Sequence, residues 1–210
     1  MNLLVIIGDL VESRTIADRQ ALQNRLGAAL DHTRAAPEGI ASPYTLTLGD
    51  EFQAVLSEAE RAFRDAVAIQ AAVHPVLVRF SLAVGTLSTA INPRQALAMD
   101  GPAFHQARAG IEAMKAEDSL FRVHGLDADS AALANASLSL ISHAFRKWQT
   151  RRVRILAALQ HGTAVPEIAR QQGVSEQAVY KNVSDGRLRD VLAAFTAIGR
   201  LLNRALEPDG

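Results

Sequence analysis

The sequence predicts an α+β fold. An antiparallel ferredoxin-like, or palm-like, sheet domain is expected over residues 1–147, followed by an all-α domain over residues 148–210. Three observations predict it. The first part holds short apolar or alternating runs separated by helical periodicities, in the order β-α-β-β-α-β. Beyond Trp148 strand signals vanish, and helical stretches are parted by Gly162, Gly173 and Gly186. The charge also divides there: residues 147–210 carry 10 Lys or Arg against 6 Asp or Glu, leaving 12 and 16 for residues 1–146.

Leu3-Leu4-Val5-Ile6-Ile7 reads as a strand buried on both faces and stopped by Gly8. Leu22, Leu26 and Leu30 recur every four positions and predict a helix over residues 17–33. A turn at Ala36-Pro37-Glu38-Gly39 follows. Residues 44–48 and 52–56 then form a hairpin around Gly49-Asp50. Ser57 with Glu60 is a capping-box pattern for a helix to about residue 72, which His74-Pro75 ends. Residues 76–84 read as a strand. Gly101-Pro102 opens a helix to about residue 116, residues 120–123 form a short strand, and residues 130–147 a helix. The apolar side of that last helix is Leu133, Leu138, Ile141 and Phe145. All sheet-packing helices are expected on one face.

Composition narrows the function classes. At 49% hydrophobic and 21% charged residues, wholesale disorder is excluded. The aromatic share of 5% leaves Ala, Leu, Ile and Val to build the core. The absence of cysteine removes disulfides, thiolate metal sites and a cysteine nucleophile. A net charge of zero argues against an indiscriminate polyanion binder. The apolar start is too short for a signal peptide or membrane span, so the expectation is a cytoplasmic protein with no membrane partner.

Two places set an acid just after a Gly at a strand end: Gly8-Asp9 and Gly49-Asp50-Glu51. In a palm-like sheet the first strand and the central hairpin are neighbours, so Asp9 and Asp50 converge. Two hard carboxylates suit Mg²⁺, which completes its shell with water and phosphate. Such pairs also serve as ordinary turn residues. Glu51 is expected beside the metal residues. Ser13 and Arg14 lie where the chain turns into the first helix and suit a phosphate; Ser13, Thr15 or Asp18 equally suits the cap of that helix. Arg79 reads as a solvated edge charge.

These strings resemble a known family. Val5-Ile6-Ile7-Gly8-Asp9-Leu10 with Ser13-Arg14, Thr47-Leu48-Gly49-Asp50-Glu51-Phe52-Gln53, Arg79-Phe80-Ser81-Leu82-Ala83-Val84-Gly85-Thr86-Leu87, and Asp100-Gly101-Pro102-Ala103-Phe104 with Ala107-Arg108 resemble the bacterial SatD family over essentially the whole chain. The acidic strand ends and the Gly-initiated helix are also similar to the catalytic domain of class III nucleotide cyclases. That resemblance implies metal binding by the two aspartates. It also implies an Asn and, four residues on, an Arg on the late helix to steady ribose and phosphates. Here those positions fall on His105 and Ala109, with Arg108 one place away, and no Lys for a purine is evident. His105 and Arg108 are therefore the ligand-binding candidates of that helix. A lone His there also reads as a surface residue.

Residues 163–183 have the order of a helix-turn-helix. Ile168 and Ala169 lie on a first helix, Gly173 forms the turn, Val174 plugs the core, Ser175 caps the second helix, and Ala178, Val179 and Val183 face inward. The stretch resembles the reading head of bacterial transcription regulators. Ser175, Gln177, Tyr180, Lys181 and Arg187 are the candidate DNA contacts. A hairpin that only packs or dimerises is the other reading. Leu192, Phe195, Ile198, Leu201, Leu202 and Ala205 give the final run an apolar face that needs the first domain or a second subunit. Because half-sites come in pairs, a homodimer is expected.

The expectation is thus a DNA-binding, transcription-regulating protein of the SatD family whose first domain binds a nucleotide or phosphorylated ligand with Mg²⁺, with double-stranded DNA as partner. No residue is assigned a catalytic role. The alternative is a nucleotide cyclase or nucleotidyl-transfer enzyme using two metal-binding aspartates.

Overall fold

The computed structural model describes residues 1–12, 16–47 and 49–207. Ser13, Arg14 and Thr15, named above for a phosphate or a cap, lie outside those residues, as does Leu48 of the hairpin.

The first six elements are β1 (Leu3–Leu10), α1 (Arg19–Arg34), β2 (Ile40–Leu46), β3 (Glu51–Leu56), α2 (Glu60–Val73) and β4 (Val78–Gly85). Their strands stand in the order β2-β3-β1-β4, with every neighbouring pair antiparallel, the plan expected from the sequence. Gly8 does not stop β1. The strand continues to Leu10, and Gly8 is where the Phe52 ring crosses it, in space that a Cβ would fill. The Ser57–Glu60 capping box is absent. Ala59 is the N-cap of α2, without a side-chain bond of its own, and its N–H donates to Asn203 Oδ1 at 2.6 Å. Asp18 caps α1 by accepting from Ala21 N at 2.9 Å.

α3 (Pro102–Glu117) and β5 (Phe121–His124) depart from the expected plan. β5 adds to the edge beyond β4 and runs parallel to it, so the five-stranded sheet is mixed rather than antiparallel. A parallel neighbour requires a crossover, and α3 supplies it on the face opposite α1 and α2. Leu4, Ile6, Phe52, Phe80 and Leu82 point to Leu22, Leu26 and Phe63 of α1 and α2. Leu3, Val5, Ile7, Val55 and Ala83 point to Ala103, Phe104, Ala107 and Ile111 of α3. β1 is apolar on both faces because both are covered.

α4 (Ala128–Lys147) seals the outer edge of β5. Asn135 accepts from Val123 N at 2.9 Å and donates to Val123 O at 3.0 Å, while Ser142 Oγ accepts from Leu120 N at 3.0 Å. The exposed ladder groups of an edge strand are thereby paired. α5 (Thr150–Gln160), α6 (Val165–Gln172), α7 (Glu176–Asp185) and α8 (Leu188–Leu206) complete the chain. Gly173 is left-handed (φ 62°) between α6 and α7, and Ser175 Oγ accepts from Ala178 N at 3.2 Å. This geometry is local to two short helices and does not itself establish a helix-turn-helix domain.

The apolar face of α8 is covered by the chain itself. Phe195 stacks on Phe63 at 4.7 Å between ring centroids and meets Phe121 at 5.4 Å. Gly199 lies against the backbone of Ala59 and Glu60. Asn2 Nδ2 donates to Ala205 O at 3.0 Å, tying the first residues to the last helix. The core is continuous from β1 through Leu202. Among the described residues no helix is long and apolar enough to cross a membrane.

Candidate functional site

The sheet face beneath α3 is apolar at one end and polar at the other. Glu51, Asp9 and Arg79 stand in register across β3, β1 and β4, on the face whose further residues are Gln53, Ser81 and Arg122. Strand alternation puts these side chains on one side, since each lies two residues from its partner in the neighbouring row. α3 crosses this face so that its last turn reaches the polar end.

Asp9 is the centre of the cluster. Its Oδ2 accepts from Arg79 Nη1 at 3.2 Å, and the two side chains are only 14% and 11% exposed. Burial pushes the Asp9 carboxyl above the ordinary aspartate range, against the opposing pull of Lys115 and Arg79. The negative charge of Asp50 adds to the rise. A backbone bond ties the two segments: Leu10 N donates to Asp50 O at 3.1 Å. Lys115, on the last turn of α3, is held protonated first by its bond to Glu112 and further by Asp9. The result is a carboxylate at the end of β1 and another in the turn before β3, with two cations beside the first.

Glu51 belongs to the same row, and its Oε1 accepts from Thr47 Oγ1 at 3.0 Å, which ties the hairpin together. Gln53 Nε2 donates to Ala96 O, while its Oε1 is buried without a hydrogen-bond partner among the described residues. Arg79 Nε, Ser81 Oγ and His124 Nε2 are likewise buried and unbonded there. Ser81 and His124 meet under Gly110 of α3, where a Cβ would collide with both.

The late-helix candidates stand elsewhere. His105 is exposed and bonds Asp100 at 2.9 Å, and the Gly101 backbone N–H is the first cause of a lowered Asp100 pKa. Arg108 lies over the Phe104 ring at 6.0 Å. At about 1.5 Å per residue, His105 is roughly 15 Å and Arg108 roughly 10 Å along α3 from Lys115. The structure therefore joins Asp9, Asp50 and Glu51, and leaves His105 and Arg108 away from them.

Arg79 and Lys115 are the residues that sequence reasoning missed. Arg79 is no solvated edge charge, because β4 is an interior strand flanked by β1 and β5. The alternation Arg79, Ser81, Ala83 carried the signal for its face, but only the register with Asp9 reveals its partner. Among the described residues there is no group of three or more His, Cys, Asp or Glu placed to hold a metal ion.

The second candidate surface is α7 and its neighbourhood. Gln177, Tyr180 and Lys181 are exposed, whereas Ser175 is engaged as a cap. Arg187 is left-handed (φ 49°) and pairs with Asp190 at 2.7 Å. Arg170 pairs with Glu167 at 2.7 Å, and Arg152 bonds Asn182 at 3.3 Å.

The SatD family matches residues 3–192. No curated protein matches the chain. Two solved structures of a bacterial light-regulated adenylyl cyclase are similar to it. One has a TM-score of 0.44 at 16% identity, covering 58% of this chain and 74% of that chain. The other has a TM-score of 0.43 at 14% identity, covering 59% and 43%. The expectation of a DNA-binding transcriptional regulator is corrected by the family match, which leads to the SatD family instead.

Proposed function

The chain belongs to the SatD family, and from that premise we propose that it is a metal-dependent enzyme acting on a nucleotide, as a nucleotide cyclase or nucleotidyl-transfer enzyme, with its centre at Asp9 and Asp50. The observation that carries the reading is the backbone bond from Leu10 N to Asp50 O, which brings the Asp50 turn against the end of the strand that bears the largely buried Asp9. Mg²⁺ is commonly bound through one or two carboxylates, with water and substrate phosphate completing the shell. The donor chemistry of Asp9 and Asp50 fits that demand. The ion would supply charge neutralisation at a phosphoryl group undergoing displacement. Arg79 and Lys115 suit phosphate oxygens, a role that His105 and the Ala109 position do not fill. Arg79 also holds Asp9 oriented through their hydrogen bond.

The test is product analysis after incubation of the full chain with each nucleoside triphosphate and Mg²⁺ or Mn²⁺. Turnover is expected, and Asp50→Ala abolishes it while leaving the circular dichroism spectrum unchanged. Intact triphosphates in every reaction, together with no Mg²⁺-dependent rise in melting temperature, overturn the reading.

A further inference from the structure

α4 seals the β5 edge with one side and leaves an apolar stripe uncovered on the other. Residues 130–145 contain no Asp, Glu, Lys or Arg. Leu138, Ile141 and Phe145 face the core, but Leu133 and Leu140 are 69% and 76% exposed. The sequence alone grouped Leu133 with the inward residues; the structure turns it out. The two leucines are about two turns apart, with exposed Ala136 between them. Exposed Asp129 lies one turn before Leu133, and exposed Lys147 two turns after Leu140, on the same line. With exposed His143 between Leu140 and Lys147, the stripe therefore reads acid, Leu, small, Leu, His, base.

We propose that this stripe is a homodimer interface, in which α4 pairs antiparallel with α4 of a second copy about a two-fold axis level with position 138. The charge pattern selects this occupant. Reversed against itself, the stripe sets Asp129 of each copy towards Lys147 of the other, Leu140 towards Ala136, and Leu133 towards His143. Parallel pairing would set like charges together. A membrane-seeking helix carries basic residues along its polar face, whereas this helix confines its Arg and Lys to the last turn, at Arg146 and Lys147. Antiparallel pairing also aligns the two helix dipoles favourably. Asn135 and Ser142 anchor α4 to β5, so little ordering is required on association.

Sedimentation velocity on the full chain over a dilution series tests this. A reversible monomer–dimer equilibrium is expected. Leu133→Ser with Leu140→Ser should raise its dissociation constant by about a hundredfold without altering the circular dichroism spectrum, because both side chains are exposed. Asp129→Lys should weaken the dimer about tenfold, and Asp129→Lys with Lys147→Asp should restore it. A chain that stays monomeric, including one that instead binds vesicles or another protein through the stripe, overturns the proposal. So does a dimer indifferent to the leucine changes, or one that the charge reversal fails to restore.

Discussion

At Asp9 two demands oppose each other. Its carboxylate is taken largely out of water, which favours the neutral acid, while Arg79 and Lys115 favour the charge; burial prevails and the pKa is raised. A raised carboxyl pKa means that the folded state keeps a proton the unfolded chain has lost. This group's contribution to stability is therefore present below the ordinary aspartate value and lost as pH rises through the raised one. At neutral pH the charged Asp9 is thus a cost to folding, tolerable for a residue kept for its chemistry. Asp9→Asn keeps an oxygen to accept from Arg79 and removes the buried charge. In the presence of a chelator it should melt no earlier than the parent at neutral pH, and the difference should vanish on acidification below the raised pKa. A Mg²⁺-dependent rise in melting temperature, present in the parent, should be absent from the variant. Thermal melts across pH, with and without Mg²⁺, check both halves. Asp9 itself was legible in the sequence because Gly-Asp at the end of an apolar run is a local pattern. Its partner Arg79 was not, because seventy residues separate them and only strand register unites them.

Among the elements, α3 shows how a helix can be read correctly and still be misplaced. Gly101-Pro102 announced its start, since Pro suits the first helical turn, and the structure begins α3 at Pro102. Nothing local told which sheet face it would cover. That choice follows from β1, whose unbroken apolar run needs cover on both sides. A Gly after an apolar run predicts a strand end at Gly8, yet β1 continues through it to Leu10. The reason for the glycine is the Phe52 ring, which comes from β3. Gly110 is the corresponding case on α3. Substitution by Ala drives a methyl into Ser81 Oγ and His124 Nε2, and should cost about 1–3 kcal/mol as overpacking. Gly27 on α1 provides the control. A Cβ there meets nothing within 4 Å, so Gly27→Ala should stabilise by about 0.4–1 kcal/mol through the unfolded chain's lost freedom. Urea denaturation of the two variants should move the midpoint in opposite directions. Equal shifts would show that helix propensity, rather than contact with the sheet, governs both sites.

Over the whole molecule, the loss of strand signals and the change of charge near residue 147 suggest two units, yet the packing crosses that position without a gap. Phe145 and Trp148 lie 4.6 Å apart between ring centroids across it. Phe195, deep in the last part of the chain, is 2% exposed and sits between Phe63 of α2 and Phe121 of β5. Local periodicity reveals that α8 has an apolar face but not what covers it, since the covering aromatics are Phe63 and Phe121, far away in the chain. This arrangement makes a prediction about cooperativity. Phe195→Ala removes a ring from a site walled by other aromatics and should destabilise by about 3–5 kcal/mol, the range for a buried Phe that leaves a cavity. Because its neighbours belong to the sheet-bearing part, the loss should register in the unfolding of the sheet as well as of the C-terminal helices. Calorimetry should show one transition shifted down as a unit, with enthalpy matching the van't Hoff value. Trp148 fluorescence and far-ultraviolet circular dichroism should then give coincident curves. A variant in which α8 melts early, while the remainder unfolds at the parent's temperature, would mean that the shared aromatic core does not couple the two parts. The last helix would then be a docked appendage rather than a wall of the core.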